Sequence, residues 1–98
     1  MKVVVQPEAE ADIVDASIWY DRQSKIVREN FLSTLYATLN VIERHPLQYQ
    51  TFFGQVRRVM VRGFPYALLY FVSDDVVNVL ACFHTSRDPK RWQDRIPQ

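Results

Sequence analysis

Arg57, Arg58, Arg62, Tyr70, His84 and Arg87 are the side chains of this sequence that could do chemistry as a group. They lie in, or just beyond, three apolar runs: "QVRRVMVRG", "YALLYFV" and "VVNVLACFH". Their types suit metal-free cleavage of RNA. One group takes the 2′-hydroxyl proton, cations stabilise the dianionic phosphorane, and an acid protonates the leaving oxygen. Histidine is the residue type that can serve in either proton role near neutral pH. The same residues have plainer uses. A lone histidine at a strand end often serves as a hydrogen-bonding terminus, and arginines on a strand face are often solvated or salt-bridged.

Other chemistries fall away by composition and spacing. Gly54 and Gly63 are the only glycines, so no Gly-rich phosphate loop exists. His45 and His84 stand far apart with no carboxylate at ligand spacing, and no metal site is expected. No serine stands on a glycine elbow. The single cysteine, Cys82, lies inside an apolar run and reads as a buried thiol. Asp74 and Asp75 sit between two apolar runs, where aspartates form turns. No cofactor is expected.

With 98 residues, half of them hydrophobic, the chain should form one globular domain. Its formal net charge of +1 hides an asymmetry. Residues 1–49 carry five cations against seven anions, and residues 50–98 carry seven cations against four anions. The second half could meet an acidic partner. The opening "MKVVVQ" is too short for a signal peptide, and no apolar stretch approaches the roughly 20 residues of a membrane span. A cytoplasmic protein is the expectation.

The elements that must position the candidates follow from periodicity. "KVVV" reads as a strand. Pro7 and the acids after it open a helix over 7–22, with Ala9, Ile13, Ala16 and Tyr20 on one face and Ile18 and Trp19 widening the apolar stripe. Ser24 can cap a second helix that Pro46 stops. Its stripe is Val27, Phe31, Leu35, Leu39 and Ile42, with Leu32 and Tyr36 beside it. The three later apolar runs, joined by short links, predict an antiparallel meander. The expected fold is α+β: an antiparallel sheet with a two-helix hairpin packed on one face, in the order β-α-α-β-β-β. The period-2 alternation places Arg58, Met60 and Arg62 on the sheet face away from the helices. The same counting places Leu80, Cys82 and His84 on one face of the last strand and Val79, Ala81 and Phe83 on the other, with His84 at the end of the open face.

Two segments carry a family resemblance. "VRRVMVRGFPYALLYFVSDDVVNVLACFHTSRDPKRW" resembles the C-terminal half of the RelE/ParE superfamily of bacterial type II toxins, and "PEAEADIVDASIWY" resembles its first helix. The resemblance implies the same β-α-α-β-β-β fold and a cognate antitoxin protein as partner. A RelE-like member would cleave mRNA on the ribosome, with His84, Arg58, Arg62, Tyr70 and Arg87 in its site. A ParE-like member would poison DNA gyrase, with Arg57, Arg91 and Trp92 among its contacts. Trp19, Leu32 and Tyr36 on the helical hairpin would meet the antitoxin. A third alternative is an inactive member that only binds antitoxin. The scarcity of lysines, the modest net charge and the lack of a tyrosine after Arg87 favour the ParE-like branch.

Overall fold

The computed structural model describes residues 1–86 and 93–96. The elements are β1 (Lys2–Val5), α1 (Pro7–Asp21), α2 (Lys25–Arg44), β2 (Thr51–Phe53), β3 (Val56–Met60), β4 (Tyr66–Ser73) and β5 (Val76–His84). The five strands form one sheet in the order β1-β5-β4-β3-β2. The neighbours from β2 to β5 pair antiparallel, as the short links require. β1 joins the edge parallel to β5, with Lys2 beside Val76 and Val5 beside Val79, so the sheet is mixed. The residues after β1 fix its direction. Gln6 donates its backbone N–H to Val79 O at 3.0 Å, and the chain then enters α1 at Pro7.

The helices form where their sequences favour them. Pro7 occupies the first turn of α1, where its missing N–H costs no hydrogen bond, and Glu8 and Glu10 complement the positive end of the helix dipole. Ser24 caps α2, its hydroxyl accepting from Ile26 N at 3.2 Å. Ala9, Ile13, Ala16 and Tyr20 of α1 and Phe31, Leu35 and Ile42 of α2 are buried against the sheet. They meet Val59 and Val61 from β3 and its continuation, Leu68 and Tyr70 from β4, and Val77, Val79 and Cys82 from β5. Ile18 and Trp19 do not extend this stripe. They are 47% and 49% exposed, on the flanks of the buried stripe.

The opposite face carries a smaller cluster of Val56, Leu69, Leu80 and Ala81, against which Phe71, Phe83 and Ile96 pack. That face is therefore not uniformly open. Ala67 and Leu69 in its middle are fully buried, whereas Arg58 and Met60 along β3 stay exposed.

β2 was not legible as a strand. It has three residues, all exposed, and no apolar alternation. It exists because Gly54, at φ 55°, turns the chain back so that Thr51 pairs with Arg57.

The β4–β5 turn is tighter than its residue types favour. Asp74 and Asp75 have φ of 55° and 60°, the left-handed region that glycine enters without penalty. Asp75→Gly is expected to stabilise the protein by up to about 1 kcal/mol. A thermal melt should show Tm higher by a few degrees, and an unchanged or lower Tm would contradict a strained turn.

Candidate functional site

The strand ends and faces divide the predicted residues into separate groups. The division turns on one irregularity. In the β4–β5 ladder Leu69 pairs with Ala81 and Tyr70 with Val79, which leaves Leu80 as an extra residue. This β-bulge puts Leu80 and Ala81 on the same face and reverses the alternation for everything after them. Cys82 therefore lies in the helix-side core, and Phe83 packs on the other face. His84 pairs in register with Tyr66, a helix-side core residue, and stacks edge-on against its ring at 5.2 Å between centroids. The placement of His84 on the open face beside the β3 arginines is thus corrected. Strict period-2 counting fails across a bulge.

His84 instead lines a recess of about 210 Å³ with Trp19, Tyr66 and Ser86. Its Nδ1 accepts a hydrogen bond from Ser86 N at 3.1 Å, which ties the ring to the turn that leaves β5. Trp19 crosses the ring of Tyr20 edge-on at 5.1 Å and presents about half its surface to solvent. The structure therefore joins two residues to which the sequence assigns different roles, His84 and Trp19.

The β3 arginines divide between faces. Arg57 points toward the helix side, where its guanidinium donates to the carbonyls of Tyr49 and Leu47. It braces the link between α2 and β2 and is only partly exposed. Tyr70, its register partner, is completely buried. The Tyr70 hydroxyl donates to Pro46 O at 2.6 Å in the same link, and burial pushes its pKa up. Both residues are engaged in holding that connection. Arg58 lies on the opposite face, its guanidinium 5.3 Å over the ring of Phe52 and 3.6 Å from Met60 Sδ. Arg62 is exposed beyond the end of β3. Arg58 is thus separated by the sheet from His84 and Tyr70, whereas Arg62 sits in the turn that Phe64 N closes on Val61 O at 3.0 Å, off the strand face that carries Arg58. Leu32 is half-buried against the main core and Tyr36 is 55% exposed. Arg87, Arg91 and Trp92 lie outside the described residues.

Two residues with a decisive structural role were missed. Asp12 accepts from Cys82 N at 3.0 Å and forms an ion pair with Arg95, whose two terminal nitrogens reach its carboxylate at 2.6 and 3.2 Å. Arg95 also donates to Leu80 O at 3.1 Å. β1 has ended at Val5, so these backbone groups of the bulge have no strand beside them. The Asp12 hydrogen bond raises the Arg95 pKa and keeps the guanidinium charged. The available signal was Asp12 sitting three residues from Ala9 and four from Ala16, on the flank of the buried stripe. The Cys82 thiol is buried next to this pair. Desolvation, with the nearby Asp12 charge adding to it, pushes its pKa up to about 12, so it stays an unreactive thiol.

Among the described residues no group of histidines, cysteines and carboxylates could hold a metal ion, and no helix is long and apolar enough to cross a membrane.

Two helices on one face of this sheet, in this chain order, define the fold of the RelE/ParE toxins. The family model described as ParE toxin of type II toxin-antitoxin system, parDE, matches residues 3–89, and the chain belongs to that family. Nine chains among solved structures match it as well. One, from the chromosomal ParDE TA system of P. aeruginosa, has a TM-score of 0.69 at 14% identity, covering 88% of this chain and 97% of its own. That likeness is one of fold. No curated protein matches the chain.

Proposed function

We propose that this toxin arrests growth by binding and poisoning DNA gyrase, and that a cognate antitoxin neutralises it. Family membership supports the antitoxin partner. The observation that carries the choice of target is the separation of His84 from Arg58. RNA cleavage needs a proton-transfer group and phosphate-stabilising cations within reach of one phosphate. Here His84 pairs with Tyr66 on the helix side, while Arg58 pairs with Leu69 on the other face. Tyr70 is buried and committed to Pro46 O. Among the described residues Arg58 and Tyr70 are not assembled with His84, which favours a toxin that acts by binding. The half-exposed Trp19 and the exposed Tyr36 on the helical hairpin, with Leu32 beside them, offer the antitoxin an apolar surface.

The test is His84→Ala. It removes the bond from Ser86 N and one ring contact, at a cost of about 1 kcal/mol, and should leave the fold intact. Expression of this variant is expected to arrest growth as the wild type does, and the purified protein should still inhibit supercoiling by gyrase. Loss of toxicity in a folded variant, or transcripts cut within codons on translating ribosomes, would overturn the gyrase reading.

A further inference from the structure

His84 brings an unused hydrogen-bond donor to the recess it shares with Trp19. Its Nδ1 accepts from Ser86 N at 3.1 Å, so that nitrogen carries no hydrogen and the neutral ring keeps its hydrogen on Nε2. Among the described residues Nε2 donates to no partner. Neither does the indole Nε1 of Trp19, a group that can only donate. Ser86 is exposed and adds a hydroxyl. Trp19, His84 and Ser86, with Tyr66, are the lining of a recess of about 210 Å³, and none of them is a charged side chain other than through the imidazole. That volume has room for one side chain. The walls are set before anything binds. His84 stacks edge-on against Tyr66 at 5.2 Å, Trp19 crosses Tyr20 at 5.1 Å, and Thr85 N donates to Pro65 O at 2.9 Å beside the strand end.

We propose that this recess takes the carboxylate of a glutamate side chain from a protein partner. Its methylenes lie against the rings of Trp19 and Tyr66, and its oxygens accept from His84 Nε2, the Trp19 indole N–H and the Ser86 hydroxyl. The donors select the group. An ionised carboxylate only accepts hydrogen bonds, whereas lysine and arginine only donate and leave His84 and Trp19 unanswered. A carboxamide answers one donor and turns its own N–H groups toward the others. A phosphate carries up to twice the charge and calls for cations, which the lining does not supply. Along α1, Asp15 stands one turn before Trp19 and Arg22 three residues after it, so the charges flanking the recess offset each other. The fixed walls lower the ordering cost of binding. The proposal rests on the reading that a protein partner covers the Trp19 side of the helical hairpin, and it names the chemistry of one contact there.

The experiment uses the full chain without antitoxin and follows the Trp19 indole N–H and the His84 imidazole by NMR. The probes are acetylated and amidated tripeptides: Ala-Glu-Ala, Ala-Gln-Ala and Ala-phosphoserine-Ala. The glutamate peptide is expected to shift both signals and to bind at least roughly tenfold more tightly than the other two. His84→Ala should lose a similar factor. Trp19→Phe, which keeps a ring wall without the N–H, should weaken binding as read at His84. His84→Gln returns an N–H donor and should recover part of the loss, which a merely structural role for the imidazole would not give. Equal binding of the glutamine peptide, tighter binding of the phosphoserine peptide, or undiminished binding by His84→Ala would overturn the proposal. So would failure of every peptide to move either signal. Binding is read on the toxin alone, so these failures leave the antitoxin reading to stand or fall on neutralisation.

Discussion

Asp12→Ala should lower stability by about 2–3 kcal/mol, read as a lower midpoint in urea with an unchanged slope. The carboxylate serves three donors in two elements: the backbone N–H of Cys82 on β5 and both terminal nitrogens of Arg95. Its removal leaves the Cys82 N–H without an acceptor and Arg95 beside the core without its counter-charge. The ion pair is neither buried nor free, with side chains 20% and 24% exposed, so its worth lies between the small value of surface pairs and that of fully buried ones. Asp12→Asn should fall in between, because an amide oxygen can still accept from Cys82 N. Arg95→Ala should cost less than Asp12→Ala, since Asp12 keeps its backbone donor. The double substitution should cost less than the sum of the two. An Asp12→Ala midpoint equal to wild type would mean that the bulge needs no side-chain support.

Phe31→Ala should cost more, about 3–5 kcal/mol, enough to leave a domain of this size marginal. Phe31 is fully buried and its ring meets three others: Tyr20 at 5.1 Å, Phe64 at 5.2 Å and Tyr66 at 5.4 Å between centroids. The loss combines a cavity with three tilted or edge-on ring contacts, and polar atoms cannot fill the space. Tyr66 also forms a wall of the recess shared by Trp19 and His84. The same substitution should therefore increase acrylamide quenching of tryptophan fluorescence under native conditions. Phe31→Leu, which keeps most of the volume, should recover much of the stability. A loss below about 1 kcal/mol for Phe31→Ala would show that the ring cluster closes around the gap.

Both helices and the three long strands were legible because their periodicity is local. Ala9, Ile13, Ala16 and Tyr20 recur at helical spacing and are all buried. Ser24 caps α2 as its side chain allows. The face of β3 was legible too, because Val59 and Val61 alternate with Arg58 and Met60 without interruption. The features that were not legible depend on partners distant in sequence. The parallel entry of β1 rests on its pairing with β5, more than seventy residues away. The Asp12–Arg95 pair spans 83 residues, and no local pattern connects an acid near a helix start with an arginine near the C-terminus. The side of the sheet that carries His84 depends on a single unpaired residue in a run that looks uniformly apolar. Leu80 and Ala81 can both face the smaller cluster there without leaving a polar group exposed to the core.

That bulge makes β5 a strand with two reading frames. From Val76 to Val79 it pairs with both β1 and β4, and from Ala81 to His84 it pairs with β4 one residue out of the earlier step. The position of His84 is thus counted back from the β3–β4 hairpin through its pairing with Tyr66, and the N-terminal strand has no part in setting it. Leu80 works as a slip joint between the frames. The one extra residue is absorbed inside the sheet, with the four β4–β5 pairs before it and the four after it each keeping its own register.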